Sequence, residues 1–139
     1  MEPYRLRYWR VPSGRLATCG RPGRSKYKDA ARVPDKVTHE WVHNLPGPNT
    51  IIVSLLGRKP NGTSEFSFYP FYGGFDTLDE KGRRPSFQEW LNEHHGDRGI
   101  EVREHPTEDF RPIQSDTLAA IAADISALLA SGKTVVLVD

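Results

Sequence analysis

The chain has a single cysteine, Cys19. One thiol excludes an intramolecular disulfide and a cysteine-rich zinc site, and it suits a reducing compartment. Net charge is also scarce. Lys+Arg 19 nearly cancel Asp+Glu 18, which argues against a polyanion-binding protein, so nucleic acid is not expected as a partner. No apolar run approaches the length of a membrane span, and residues 1–10 lack the apolar core of a secretory signal. A soluble, cytoplasmic chain with no membrane insertion is the expectation. Also missing are G-x-G-x-x-G, a Walker lysine, His-Glu-x-x-His and Gly-x-Ser-x-Gly. These absences leave no cofactor or metal to expect. No internal repeat or low-complexity tract is present.

What is present fits one domain of 139 residues. Basic residues concentrate early. Residues 1–36 hold Arg5, Arg7, Arg10, Arg15, Arg21, Arg24, Lys26, Lys28, Arg32 and Lys36 against Glu2, Asp29 and Asp35. Such a segment can serve a local anionic ligand or form an ordinary solvated surface.

The hydrophobic pattern predicts alternating strands and helices. Tyr4, Leu6 and Tyr8, then Val11, Leu16 and Ala17, suggest one or two short strands broken at Pro12-Ser13-Gly14. Gly20-Arg21-Pro22-Gly23-Arg24 forces a loop. Asp35 caps a helix to about Leu45, with Val37, Trp41, Val42 and Leu45 on one face, and Pro46-Gly47-Pro48 ends it. Thr50 to Leu56 is a β-branched run of buried-strand character, and Ser64 to Phe71 alternates like a further strand. Ser86-Phe87-Gln88-Glu89 is a capping box opening a helix that buries Phe87, Trp90 and Leu91 and closes at Gly96. Ile100 to Glu104 is a short strand. Ser115 or Asp116 caps a last helix with an apolar stripe of Leu118, Ile121, Ile125, Leu128 and Leu129, and Gly132 supplies its closing turn. Lys133 to Asp139 is an apolar strand buried on both faces. The order predicts an α/β fold with a largely parallel central sheet flanked by helices.

Several residues invite chemical readings. Cys19 and Arg24 suggest a thiolate phosphate loop, but only four residues intervene where Cys-x5-Arg needs five, so Cys19 reads as a small, partly buried residue. Asp109 and Glu108 lie on a proline-bounded loop after a strand, where a general acid has reach, although these residues by themselves read first as stabilising the loop or capping a turn. The final strand points to a site at its carboxyl end, the usual ligand position in open α/β sheets. His39 and His43 share a helix face but lack a third ligand at suggestive spacing. His94 and His95, being adjacent, do not share a face and read as surface residues that favour the helix dipole.

In order and spacing these segments resemble the cysteine-dependent protein-tyrosine/dual-specificity phosphatase superfamily, in its atypical dual-specificity branch. Tyr8-Trp-Arg-Val-Pro-Ser-Gly-Arg-Leu16 followed by Gly20-Arg-Pro-Gly23 looks like its opening segment. Ile51 to Leu56 and Phe66 to Phe71 are similar to its next strands. Glu104-His-Pro-Thr-Glu-Asp-Phe-Arg-Pro112 resembles its mobile acid loop, and Val135-Val-Leu-Val138 the approach to its catalytic loop. The resemblance covers essentially the whole chain and implies Asp109 as general acid. Asp139 falls where the family most often has His, and the nucleophilic cysteine would be the next residue. The Cys-x5-Arg loop is not in these 139 residues, which leaves the phosphatase-like sheet incomplete at its C-terminus and the chain inactive as written. Arg21 and Arg111 are the basic candidates for substrate binding, although on sequence grounds they do not replace that cradle.

The leading expectation is therefore the N-terminal part of a phosphatase-type domain acting on a phosphoprotein or small phosphomonoester, with association through an exposed sheet face. The alternatives are a non-catalytic phosphatase-like module that binds a protein or phospho-ligand, and an unrelated small α/β binding domain.

Overall fold

The computed structural model describes residues 6–9, 15–20, 35–55, 87–105, 107 and 112–138. Its elements in chain order are β1 (Arg7–Trp9), β2 (Arg15–Cys19), α1 (Asp35–His43), β3 (Thr50–Ser54), α2 (Phe87–His95), a 3-10 turn (Gly96–Arg98), β4 (Glu101–Glu104), α3 (Ser115–Ala130) and β5 (Thr134–Val138). The strand expected over 64–71 and the capping residue Ser86 lie outside the described residues.

The strands form one sheet in the order β1-β2-β5-β3-β4. β1 pairs antiparallel with β2, and the other four strands run parallel to one another. This is the expected α/β architecture with a largely parallel sheet. β5 lies at its centre, between β2 and β3. Its sequence, Thr-Val-Val-Leu-Val, suits that place, because β-branched side chains pack well on both faces of a pleated sheet. Val135, Val136 and Val138 are fully buried, and Leu137 is partly so.

The connections explain the two cores. From β2 to β3 and from β3 to β4 the chain steps one way across the sheet, and from β4 to β5 it steps back. Crossovers of one hand must then place α1 and α2 on one face and α3 on the other. Accordingly, Trp41, Val42, Leu45, Phe87, Trp90 and Leu91 pack with Ala17, Ile52, Val136 and Val138. Leu128 and Leu129 pack with Ile51, Val53 and Val135 on the opposite face. Burial of Phe87 or Leu91 contributes on the order of 1.5–3 kcal/mol each.

Element ends carry specific ties. Arg98 donates from Nη1 to the carbonyl of Val42 and from Nη2 to that of Leu45 (2.8 Å for the latter), satisfying acceptors that the end of α1 leaves open. Thr50 Oγ1 donates to the carbonyl of Pro46 at the entry to β3. Gln88 covers the outer edge of β4. Its Nε2 donates to the Ile100 carbonyl (2.9 Å), and its Oε1 accepts from the Val102 N–H (2.7 Å). A side-chain amide thus occupies backbone groups that an edge strand otherwise leaves open.

Three local expectations change. α2 ends at His95, directly before Gly96 as expected, but Gly96 opens a 3-10 turn, and the left-handed residue is Gly99, at φ 61°. α3 has Gln114 rather than Ser115 or Asp116 at its N-cap, with no side-chain cap bond. Leu118 is 53% exposed instead of joining the apolar stripe. Sixteen helical residues span about 24 Å, whereas five strand residues span about 17 Å, so the first turns of α3 overhang the sheet. Gly132 does close the helix in the left-handed region, at φ 82°.

Candidate functional site

The parallel strands end together. Cys19 of β2 is in register with Val138 of β5, Val138 with Ser54 of β3, and Ser54 with Glu104 of β4. This carboxyl edge is where open α/β sheets bind ligands, since the loops that follow the strands converge there. It is also the edge at which the sequence expectation placed its site.

Two of the following segments are tied to the edge. The Leu55 N–H donates to the Val138 carbonyl (2.8 Å), and the His105 N–H donates to the Ser54 carbonyl (2.8 Å). Thr107 then donates twice to the Leu55 carbonyl, from its backbone N–H (3.2 Å) and its hydroxyl (2.8 Å). The chain leaving β4 is thereby held against the end of β3, next to the end of β5.

A charged cluster braces the same segment from the α3 side. The Asp124 carboxylate accepts from Arg103 Nη1 (2.6 Å) and contacts His105 Nε2 (2.9 Å). Arg103 also donates from Nε to Glu101 Oε2 (2.7 Å). One carboxylate on α3 thus binds two residues of the β4 end. An acceptor at Nε2 fixes the orientation of the His105 ring, and Arg103 supplies Asp124 with a cationic donor.

Cys19 lies at the edge but is not a poised nucleophile. Burial pushes its thiol up to about 11, an effect that the neighbouring Trp41 side chain partly offsets. A group held there is a neutral thiol near pH 7, and the thiolate is the reactive form. This agrees with its reading as a partly buried structural residue.

Asp109, Glu108, Arg21, Arg24, Arg111 and Asp139 lie outside the described residues. The histidines need a correction. His95 is not a surface residue but 7% exposed. His39 Nδ1 lies 2.8 Å from His95 Nε2, and the His39 ring contacts His94 (5.5 Å between centroids) while His43 contacts His95 (5.3 Å). Two pairs read separately in the sequence form one cluster. Among the described residues, no group of three His, Cys, Asp or Glu side chains is arranged to hold a metal ion. Two residues were missed for a related reason. His95 follows Leu91 by four positions and Asp124 follows Ile121 by three, so both lie on or beside a buried stripe. That spacing is the signal that could have found them. Among the described residues, no helix is long and apolar enough to cross a membrane.

Comparison with protein-family models, with curated proteins and with solved structures finds no match for this chain.

Proposed function

We propose that this chain is the N-terminal part of a cysteine-dependent phosphatase-type domain, of the protein-tyrosine/dual-specificity kind. Its site would be the carboxyl edge of the parallel sheet. The observation that carries the reading is the double tether of Thr107 to Leu55 beside the end of β5. It holds the root of the segment bearing Asp109 next to the strand that would deliver a phosphate loop. α1 and α3 both run back across the sheet from this edge, so the positive ends of their dipoles face it. Asp116 in the first turn of α3 offsets part of that field.

In the completed domain a cysteine thiolate in the residues after Asp139 attacks phosphorus. The bond from phosphorus to the leaving oxygen breaks, and Asp109 donates its proton to that oxygen. Water then attacks the phosphocysteine, with Asp109 accepting its proton, and the phosphorus–sulfur bond breaks to release inorganic phosphate and the cysteine thiolate. The arginine of the same loop and the loop's backbone N–H groups hold the phosphoryl oxygens. The substrate class is a phosphoprotein or small phosphomonoester, Arg21 and Arg111 are secondary contacts, and a cytoplasmic location accompanies the reading. Without the cysteine loop, these 139 residues supply the acid and the scaffold but no nucleophile.

The test is hydrolysis of an aryl phosphate by the chain extended through the codons that follow Asp139. Turnover lost on replacing the new cysteine by serine, and lowered at least tenfold by Asp109→Asn, supports the reading. An extension without Cys-x5-Arg overturns it. That outcome favours the second reading, a phospho-ligand-binding module on the same edge.

A further inference from the structure

The histidine cluster does not belong to the carboxyl-edge site. His39 lies at the middle of α1 and His43 at its end, and His94 and His95 end α2. These helix ends lead into β3 and β4, so they lie toward the opposite, amino-terminal edge of the sheet.

The contact has a definite proton requirement. His39 Nδ1 and His95 Nε2 are 2.8 Å apart, so one nitrogen must carry a hydrogen and the other must not. One added proton is tolerated on the outer nitrogen of His39, which leaves Nδ1 donating to a neutral His95. His95 then has its own proton on Nδ1 and must take the next one at Nε2. That places two N–H groups head to head, and the contact cannot survive.

Among the described residues, the groups that act on His95 disfavour the second proton. His39 and His43 face His95 from α1, His94 adjoins it on α2, and Arg98 reaches it from the 3-10 turn. All of them add like charge, and burial adds to their effect. Of the acidic residues in these elements, Glu40, Glu89, Glu93 and Asp97 are exposed. Trp90 stacks against the cluster, with centroids 4.9 Å from His39, 5.0 Å from His94 and 5.6 Å from His95.

The geometry points to a proton-operated latch: the His39–His95 contact closes α1 onto the end of α2 at neutral pH and releases it in acid. The latch rests only on the described histidines and stands whether or not the phosphatase reading does.

The full chain tests it directly. At neutral pH, imidazole nitrogen NMR should show a scalar coupling across the shared hydrogen between His39 Nδ1 and His95 Nε2. On acidification the coupling should vanish together with a reversible change in the near-ultraviolet circular dichroism of the tryptophans. His95→Gln keeps a hydrogen-bonding group near Nε2 without a titratable one, and should shift that change down by about one pH unit or more. His39→Gln should shift it in the same direction and provides a second arm should His95→Gln not fold. An acid change of unaltered midpoint in either folded variant, or absence of the coupling in the unmodified chain, overturns the latch.

Discussion

Thr107 donates both its backbone N–H and its hydroxyl to one acceptor, the Leu55 carbonyl at the end of β3. A carbonyl oxygen has two lone pairs, and here one residue uses both. The segment after β4 is thus fastened at a single point, just before the residues proposed to carry the acid. Thr107→Val keeps the shape and removes the hydroxyl. The expected cost is about 1 kcal/mol, read as a lower urea midpoint at unchanged slope. In the completed domain the same change should lower kcat more than it raises KM, since it loosens the acid rather than the substrate.

Asp124 couples Arg103 to His105 across the β4–α3 interface. Asp124→Asn should destabilise the fold by about 1–2 kcal/mol, because both donors lose an ionised acceptor. His105→Gln in the same chain should cost less than the sum of the two single changes, and a double-mutant cycle measures the difference. Strict additivity would mean that the two side chains do not interact in solution.

Arg98 binds the Val42 carbonyl of α1 and the Leu45 carbonyl just beyond it, from the turn that follows α2. Arg98→Ala should cost about 1–3 kcal/mol. Arg98→Lys should recover only part of it, since an ammonium cannot reproduce the two-pronged guanidinium geometry. Equilibrium unfolding of the two variants checks the order.

Burial, reinforced by His39, His43, His94 and Arg98, lowers the His95 pKa to about 4 from the usual 6.5. The folded state therefore binds fewer protons than the unfolded chain between these values. Stability should fall as pH drops from about 6.5 to about 4 and level off below. The loss is on the order of 2 kcal/mol, allowing for screening by the exposed neighbours. Denaturant titrations at a series of pH values measure it, and His95→Gln should flatten the curve in that window.

The α/β class and most elements were legible because β5, β3 and α1 each carry a strong local pattern. Val135 to Val138 reads as a buried strand without help from the rest of the chain. What escaped was relational. The meeting of His39 with His95 depends on two crossovers landing on one face, and 56 positions separate the two residues. The exposure of Leu118 depends on α3 outrunning the sheet, and helical spacing does not encode a neighbour's length. At the candidate site, the carboxyl edge was foreseeable from the final strand, whereas the Thr107–Leu55 tether and the Asp124 brace were not. Both join residues from elements distant in sequence.

Cys19 offers a simple chemical check of the core. A thiol pushed up to about 11 by burial should react slowly with iodoacetamide at pH 7, far below the rate of a small-molecule thiol. Alkylation followed by mass spectrometry gives the rate, which should rise steeply in mild urea as the β1–β2 side of the sheet opens.

The proposed function turns most directly on steady-state hydrolysis of p-nitrophenyl phosphate, measured on the 139-residue chain and on its extension through the following codons. The account predicts no turnover above buffer for the 139 residues. It predicts turnover for an extension supplying Cys-x5-Arg, reduced at least tenfold by Asp109→Asn. Hydrolysis by the 139-residue chain itself, or a folded extension with that loop but no activity, would contradict it.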